Sequence, residues 1–449
     1  MNNLRVSSSG IRGLVPDGLN VNIASDFASA FSTYIGEGKR IGVAIDGRKS
    51  GFLLSDAVIS SLSATGSNVV FYKILPTPIL QYLIKNRKVD AGVSITGGHN
   101  PFNWNALLLL DEAGFYLNSI ESNEVFNIYH SKEFNKVGWQ RLGKIEYENI
   151  DLKDYIKRIS ELVNVDIIRK RKFKIVFDLS NGAVSSVIND ITEYFGIEPI
   201  FLNDKTEGYF AHNPEPNPET SSQVSSILKN FSFDGGFIFN SDGSRVSIVD
   251  EKGGAFSEEY TLPIVSKAYL LKKKTPIVTT VSTSKMIDFV ARGYGVSVFR
   301  TKVGQSQVIH TMEARESFIG GEGSGSVCVR DFSNGYDSIF SFLLILEYMA
   351  KKDLSLSGIR KEFPEFFLLK YKVPVSPGKM YGAVNHLKEI FRKEKIDLTD
   401  GILVERKTGW FNIRVSTTEF ILRIIIEAED KEKAFKIKDE LDERLWGVL

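Results

Sequence analysis

The chain has 449 residues, of which 43% are hydrophobic and 25% charged, with a formal net charge of +1 and one cysteine. This composition is typical of a globular protein of several domains, and the balanced charge argues against general binding to nucleic acid or a membrane surface. The single cysteine, Cys328, excludes an internal disulfide framework, and no stretch is long and apolar enough to span a bilayer. Because the first residues also lack the apolar core of a signal peptide, we expect a cytoplasmic protein.

Three consecutive segments of the chain follow one plan. Each begins with an apolar, β-rich run that passes through a polar loop into a helical pattern. A second strand follows, and then a third strand that ends in a Gly-rich loop. The opening runs are 41–45, 173–177 and 276–280, and the closing loops are 96–101, 240–245 and 320–325. Strands that alternate with helices predict open, mostly parallel α/β sheets, which bind ligands outside the carboxyl ends of their strands. We therefore expect the three loops to face one crevice.

From about Tyr371 the pattern changes. Two strand-like runs, 410–415 and 420–427, surround a polar turn, and a helical pattern over 430–445 follows. This pattern predicts a small α+β domain. The predicted fold class is therefore α/β, with three related domains of mixed, mostly parallel sheets and a C-terminal α+β domain. The predicted boundaries are 1–150, 151–255, 256–368 and 369–449.

Four motifs in chain order resemble the active-site loops of the α-D-phosphohexomutases, which include phosphomannomutases and phosphoglucomutases. The motifs are Thr96-Gly97-Gly98-His99-Asn100-Pro101, Asn240-Ser241-Asp242-Gly243-Ser244-Arg245, Gly321-Glu322-Gly323-Ser324-Gly325 and the segment 414–423. The resemblance covers essentially the whole chain. It implies a four-domain architecture, a role in carbohydrate metabolism and a hexose phosphate as the ligand. The family moves a phosphate between two hexose hydroxyls through a phosphoserine, and such chemistry needs a carrier, a proton shuttle and cationic stabilisation.

The first motif departs from the family pattern Thr-(Ala/Gly)-Ser-His-Asn-Pro at its nucleophile. Gly98 occupies the phosphoserine position, and glycine has no side chain to phosphorylate. Leu108 occupies the position of the family lysine that is a candidate proton shuttle. His99 matches the family; a catalytic role and a loop-ordering hydrogen bond are equally open for it.

The second motif departs from the family pattern Asp-Gly-Asp-x-Asp-Arg, whose aspartates hold Mg²⁺. Only Asp242 is a carboxylate here, because Asn240 and Ser244 occupy the other two ligand positions. Mg²⁺ prefers anionic oxygen ligands, so we expect at most a weak Mg²⁺ site and no required cofactor. Arg245 is retained and is expected to meet a phosphate.

The remaining motifs keep the residues that hold a phosphosugar. The resemblance assigns Glu322 and Ser324 to the sugar hydroxyls, and Lys302 to the lining of the cleft. It assigns Arg12, within Ser9-Gly10-Ile11-Arg12-Gly13, to the transferred phosphate. The residues expected to clamp the other phosphate are Arg414, Ser416, Thr418 and Arg423.

The family's phosphoserine, its candidate shuttle lysine and two of its metal aspartates are replaced in this sequence, whereas the residues assigned to the sugar and the phosphate are retained. This pattern favours a protein that binds a hexose phosphate and has weak or no mutase activity, because the retained residues mostly bind the ground state and the transition state equally well. One alternative is an active mutase with a displaced nucleophile at Thr96, Ser94 or His99. Another is a non-catalytic subunit that pairs with an active paralogue. The sequence leaves homodimer formation open.

Overall fold

The computed structural model describes residues 4–7, 10–376, 380–415 and 421–446. Four sheets follow one another along the chain, and helices pack on each of them. We name them sheets I to IV. The α/β fold class predicted from the sequence is confirmed, while the four domain boundaries stay predictions.

Sheet I has seven strands in the order β1-β2-β6-β5-β3-β4-β7. The strands are β1 (Leu4–Ser7), β2 (Gly10–Leu14), β3 (Arg40–Ile45), β4 (Asn68–Ile74), β5 (Ala91–Ile95), β6 (Trp104–Leu110) and β7 (Ile145–Tyr147). The helices along this part of the chain are α1 (Val21–Ile35), α2 (Lys49–Ala64), α3 (Thr77–Lys85) and α4 (Ser119–Ser131).

Sheet II has four strands in the order β11-β10-β8-β9. The strands are β8 (Lys174–Asp178), β9 (Glu198–Leu202), β10 (Gly235–Phe239) and β11 (Val246–Asp250). The helices are α5 (Lys153–Leu162), α6 (Val165–Arg171), α7 (Ile188–Phe195) and α8 (Ser222–Asn230).

Sheet III has four strands in the order β13-β12-β14-β15. The strands are β12 (Ile277–Thr280), β13 (Val298–Thr301), β14 (Ile319–Glu322) and β15 (Ser326–Val329). The helices are α9 (Thr261–Leu270), α10 (Met286–Tyr294), α11 (Gln305–Ala314), α12 (Ser338–Lys352) and α13 (Leu356–Arg360).

Sheet IV has five strands in the order β16-β20-β19-β18-β17, all paired antiparallel. The strands are β16 (Phe367–Pro374), β17 (Ile396–Asp397), β18 (Ile402–Arg406), β19 (Gly409–Val415) and β20 (Ile421–Ala428). The helices are α14 (Met380–Ile390) and α15 (Lys431–Trp446). Short 3₁₀ turns lie at Trp139–Arg141, Ala183–Ser186, Pro218–Thr220 and Glu258–Tyr260.

The repeat predicted from the sequence is visible in the strand pairing. In sheets I to III the opening strand pairs in parallel with the strand that leads into the Gly-rich loop. After each loop the chain returns as an antiparallel strand, namely β6, β11 and β15. Each motif therefore lies at the carboxyl end of its strand, where the chain crosses to an antiparallel neighbour, and this fixes its position at the edge of the sheet.

One continuous apolar core joins sheets I to III, whereas sheet IV has a core of its own. A small cluster that includes Val281 and Trp410 connects the two. Polar contacts reinforce the connection, because Glu427 accepts hydrogen bonds from the indole of Trp410 at 2.7 Å and from the Lys285 amide at 3.0 Å. Sheet IV is thus seated on sheet III, which brings the fourth motif toward the other three.

The central helix α12 is buried on nearly all sides, and its start helps to position the second motif. Asp337 caps the helix by accepting a hydrogen bond from the Phe340 amide, and it accepts another from the Tyr155 hydroxyl at 2.8 Å. The next residue, Ser338, donates to the carbonyl of Gly243. The Asp337 cap therefore fixes one side of the loop 240–245.

Burial raises the pKa of Asp337 from 3.8 to about 6, against the opposing effect of its hydrogen bonds. A carboxyl whose pKa is higher in the folded state adds stability below its unfolded pKa, and this stability is lost as pH rises through the folded pKa. Asp337→Asn keeps the shape and the cap acceptor but does not titrate. We therefore expect its unfolding free energy, relative to the wild type, to rise by about 1 kcal/mol between about pH 5 and pH 7.5.

Urea denaturation of both proteins at the two pH values measures this difference. The control is Asp353→Asn, at the other end of α12, where the carboxylate is 83% exposed. A difference between Asp337→Asn and the wild type that stays constant over this range would contradict the assignment.

Candidate active site

The first two motifs face each other across sheets I and II. Gly98 has a backbone φ of +56°, in the left-handed region that glycine adopts without strain. A Cβ atom at this position would lie 3.4 Å from Asp242 Oδ2, the one heavy atom of the described residues, apart from the chain neighbours Gly97 and His99, within 4 Å of it. The position that corresponds to the family nucleophile therefore points directly at the second motif, although it carries no reactive atom.

A buried ion pair holds the first loop in place. Arg48 is fully buried, and its Nε donates to Asp46 Oδ2 at 2.8 Å. Its two terminal nitrogens donate to a ring of loop carbonyls at 2.5–3.0 Å. These carbonyls belong to Gly98, Asn100, Pro101 and Trp104. Most N–H donors of the guanidinium therefore bind backbone carbonyls of this segment. Because these contacts involve only the backbone, they hold the loop in place independently of the side chain at position 98.

Ser241 links this arrangement to the second motif. Its Oγ lies 2.7 Å from the Gly98 carbonyl oxygen and 2.8 Å from Asp46 Oδ2. The family pattern has a glycine at the position of Ser241, so the serine adds a polar contact between the two loops. Sequence analysis did not single out Asp46, Arg48 or Ser241, although the run Asp46-Gly47-Arg48 lies in the polar loop of the first repeat.

The second motif is hydrogen-bonded within itself. Asp242 Oδ1 accepts from Asn240 Nδ2 at 2.7 Å and from the Ser244 hydroxyl at 2.6 Å. The Asn240 amide oxygen accepts from the Arg245 backbone amide at 3.0 Å. Asn240 and Ser244, at two of the three family ligand positions, therefore both donate hydrogen bonds to Asp242, the one carboxylate of the motif. A bound Mg²⁺ would instead need these positions to offer it oxygen atoms as ligands. These residues do not fit a Mg²⁺ site, and the described part of the chain has no cluster of three metal-ligating side chains.

His99 lies in a strongly cationic environment. Burial and four guanidinium groups lower the pKa of His99 well below its ordinary value, so the ring is neutral. The four arginines are Arg245, Arg12, Arg423 and Arg48. No hydrogen bond holds the His99 ring to another described residue, so nothing in this part of the chain supports the loop-ordering role. The convergence of Arg12, Arg245 and Arg423 on one ring places the first, second and fourth motifs around a common space.

Two of the alternative nucleophiles are committed to internal contacts. Thr96 is 1% exposed; its hydroxyl donates to Asp46 Oδ2 at 2.6 Å and accepts from the Gly98 amide. Ser94 is equally buried, and its hydroxyl lies 2.7 Å from the hydroxyl of Thr77. Neither hydroxyl faces the space beside Gly98.

The third motif lies at the end of β14. Glu322 Oε1 accepts from the Tyr336 hydroxyl at 2.9 Å, and the Ser324 hydroxyl lies 3.2 Å from that of Ser326. From sheet IV, Lys370 donates to the carbonyl of Gly323 at 3.0 Å. Lys302 is exposed. The carboxylate predicted to bind the sugar is therefore held by one hydrogen bond from the described residues, that of Tyr336.

The described part of the fourth motif presents two arginines side by side. Arg414 on β19 is the direct partner of Arg423 on β20, so both side chains lie on one face of sheet IV. Burial and then the charge of Arg423 lower the pKa of Arg414, whereas Asp400 and Glu322 raise it. The hydrogen bond from Lys370 of sheet IV to Gly323 brings this sheet next to the third motif. Ser416 and Thr418 lie outside the described residues.

Tyr116 is a site residue that sequence analysis missed. Tyr116 forms an antiparallel bridge with Leu110, the last residue of β6. Arg12, on β2, pairs with Ala106, which also lies on β6. Because side chains alternate along a strand, Tyr116, Arg12 and Leu108 share one face of sheet I. Burial and the nearby charge of Asp242 raise the pKa of Tyr116, so its hydroxyl stays a neutral donor. Only the fold brings this tyrosine to the face of Arg12, so no local motif marks it.

Comparison with known proteins agrees with this architecture. Models of the three α/β/α domains of phosphoglucomutase/phosphomannomutase match residues 4–136 (domain I), 153–254 (domain II) and 258–367 (domain III). The chain therefore belongs to the phosphoglucomutase/phosphomannomutase family of α-D-phosphohexomutases, as the sequence motifs predicted.

Individual relatives match over nearly the whole length. A phosphoglucomutase/phosphomannomutase of Thermococcus kodakarensis is 34% identical, with 95% of this chain and 94% of the relative covered. A probable phosphoglucosamine mutase of Pyrococcus furiosus is 32% identical, with 98% and 96% covered. Among solved structures, a family protein of Burkholderia thailandensis superposes with a TM-score of 0.85 at 24% identity, covering 99% and 98% of the two chains.

The buried ion pair generates a stability prediction. Arg48→Met leaves Asp46 as a buried carboxylate without its cation and releases the loop carbonyls. We expect the unfolding free energy to fall by about 3–5 kcal/mol, measured by urea denaturation. Arg141→Met is the control, because its ion pair with Glu37 is 62% and 37% exposed and should contribute about 1 kcal/mol or less. Equal losses in the two variants would show that Arg48 does not organise the loop.

Proposed function

We propose that this protein binds a hexose phosphate between its four loops and has weak or no mutase activity. The observation that carries the proposal is the geometry at Gly98. The loop path is held by Arg48 and Ser241, and position 98 points at Asp242, yet no side chain is present to carry a phosphoryl group. Leu108 in the lysine position removes the candidate proton shuttle as well.

The groups that would hold a ligand remain and face one another. Glu322 offers a carboxylate to adjacent hydroxyls, and Arg414 and Arg423 offer guanidinium donors to a phosphate. In this proposal Ser324 and Lys302 add contacts to the sugar, and Ser416 and Thr418 complete the phosphate clamp. Interactions of this kind bind the ground state and the transition state alike, so they give affinity without turnover.

The proposed binding does not need a metal. The single carboxylate Asp242 is already engaged by Asn240 and Ser244, and a phosphate would be neutralised by arginines instead. Relatives named phosphoglucomutase/phosphomannomutase and probable phosphoglucosamine mutase support the same class of ligand, a phosphorylated hexose or aminohexose.

An active mutase with a displaced nucleophile is the second candidate, because relatives at 34% and 32% identity bear the names of mutases. The internal hydrogen bonds of Thr96 and Ser94 disfavour both hydroxyls, which leaves His99 as the remaining candidate in that reading. A stable phosphate on His99, detected by mass spectrometry of the 91–105 peptide under neutral conditions, would favour it. Copurification of an active paralogue would favour the third reading, a partner subunit.

The proposal predicts binding in the presence of EDTA. Isothermal titration calorimetry with glucose 6-phosphate, mannose 6-phosphate and glucosamine 6-phosphate should show binding of at least one ligand. Arg423→Met and Glu322→Gln should each weaken that binding by about tenfold or more, because each removes a charge-assisted hydrogen bond.

Arg392→Met is the matched control, because Arg392 belongs to the same C-terminal part of the chain and its side chain is 69% exposed. It should bind like the wild type. If none of the three phosphosugars binds at millimolar concentration, the proposed function is wrong.

A further inference from the structure

The segment 203–217, which we call the strap, follows β9 and crosses from sheet II to the polar loop of the first repeat. Gly208 of the strap forms a parallel bridge with Arg48. A Cβ atom at Gly208 would lie 2.7 Å from Lys49 Cβ, so the strap and the start of α2 are in direct contact. The ring of Phe210 lies against the guanidinium of Arg48, with 4.7 Å between Cζ and the ring centroid. The strap therefore covers the side chain that holds the first loop.

The strap also reaches the second motif, where Glu215 Oε1 lies 3.5 Å from Arg245 Nη1. Between its two ends it is tied to Asn181, in the turn that follows β8. The side-chain nitrogen of Asn181 donates to the Lys205 carbonyl at 2.9 Å, and its side-chain oxygen accepts from the Ala211 amide at 3.0 Å. These two hydrogen bonds do not change with pH, because amides do not titrate.

The contact of the strap that depends on pH is made by His212. Its Nε2 lies 2.9 Å from Asp178 Oδ2, and its Nδ1 lies 2.8 Å from the carbonyl oxygen of Asn213. Because a carbonyl oxygen and a carboxylate only accept hydrogen bonds, both contacts are satisfied together only when both ring nitrogens carry a proton. A neutral ring would place a nitrogen lone pair against one of the two oxygens. The geometry therefore favours the imidazolium form.

Asp178 supplies the reason for holding a cation here. This carboxylate, at the end of β8, is fully buried, and His212 is the ion-pair partner that it has within the described ranges. Its other oxygen accepts from the Ser180 amide and from the Asn203 side chain, each at 3.0 Å. Burial lowers the pKa of His212, but the hydrogen bond and the charge of Asp178 outweigh burial and raise this pKa above its ordinary value. A buried carboxylate that loses its cation is strongly unfavourable.

The other polar side chains around this ion pair are neutral. From α8, Gln223 accepts from the side chain of Asn203 at 2.9 Å, and the turn after β8 contributes the amide side chain of Asn181. Asp178 is the one charged group among the described residues that shifts the pKa of His212. The protonation of His212 is therefore set by this pair and by its burial.

We propose that His212 is a positioning residue whose imidazolium form latches the strap onto Asp178, and that loss of the proton loosens the strap, exposes Arg48 and frees the first loop. Because the folded-state pKa of His212 is raised, the latch is fully formed below about pH 6.5 and is lost as pH rises through the folded-state pKa. The binding of a hexose phosphate is then linked to this proton, and that consequence rests on the proposed function.

Nuclear magnetic resonance of the full chain with ¹⁵N-labelled histidine tests the protonation state. The resonances of His212 are those that disappear in His212→Gln. Both ring nitrogens should have imidazolium shifts at about pH 6, and the titration midpoint should lie above about 6.5, the ordinary pKa of histidine. A midpoint at or below this value would overturn the inference.

Hydrogen exchange of the strap amides tests the latch, with variants compared at one pH at a time so that intrinsic exchange rates cancel. His212→Gln keeps a donor but no charge, and its strap should exchange about tenfold faster than that of the wild type at about pH 6 and equally fast at about pH 9. His212→Arg keeps a cation that does not titrate and should stay protected at both pH values. His130→Gln, at the exposed end of α4, is the matched control and should exchange like the wild type. A ratio of His212→Gln to wild type that is the same at both pH values would indicate a merely structural histidine and overturn the inference.

Calorimetry in EDTA with glucose 6-phosphate, mannose 6-phosphate and glucosamine 6-phosphate measures the consequence for binding. At about pH 6, His212→Gln should bind about tenfold more weakly than the wild type, and His212→Arg should bind like it. At about pH 9, His212→Gln and the wild type should bind equally. Equal binding by all three proteins at both pH values would overturn the positioning role and leave the proposed function standing. Failure of every phosphosugar to bind the wild type would overturn the proposed function, and exchange of the strap would still decide whether His212 is a latch.

Discussion

The arrangement of the candidate site depends on the buried ion pair between Asp46 and Arg48. Taking two charges out of water is costly, and the cost is offset only where both ions keep full sets of hydrogen bonds. Here Arg48 donates to three carbonyls of the first loop and to that of Trp104, and Asp46 accepts from Thr96 and lies 2.8 Å from the Ser241 hydroxyl. The pair therefore fixes the first loop and, through Ser241, ties it to the second loop.

This dependence shows that the position of the first loop is fixed by residues other than the one at position 98. None of the contacts that hold the first loop involves a side chain at position 98, so glycine leaves the loop path unchanged. The second loop is held in a similar way, since Asn240 and Ser244 replace metal coordination by hydrogen bonds to Asp242. In the proposed function, binding geometry and chemical reactivity are supplied by different residues, so the first can be maintained without the second.

The sequence was sufficient for the fold class and for the order of the four motifs, because both follow from a repeat with strong hydrophobic periodicity and Gly-rich turns. It was not sufficient for the residues that organise the site. Arg48 and Ser241 are 193 positions apart, and Tyr116 reaches Arg12 only through strand pairing. The apolar patterns also did not predict the antiparallel strands β6, β11 and β15. Each of them follows shortly after a segment that was interpreted as a loop.

The most direct test of the central claim is a coupled mutase assay of the wild-type chain with glucose 1-phosphate and mannose 1-phosphate, in the presence of Mg²⁺ and the matching bisphosphate. We expect turnover far below about 1 per second, or none, for the wild type, and little gain for Gly98→Ser alone. The combined variant Gly98→Ser, Leu108→Lys, Asn240→Asp, Ser244→Asp, which restores four missing groups that act as a unit, should gain measurable activity. Turnover by the wild type of about 1 per second or more, the range of ordinary enzymes, would contradict the account.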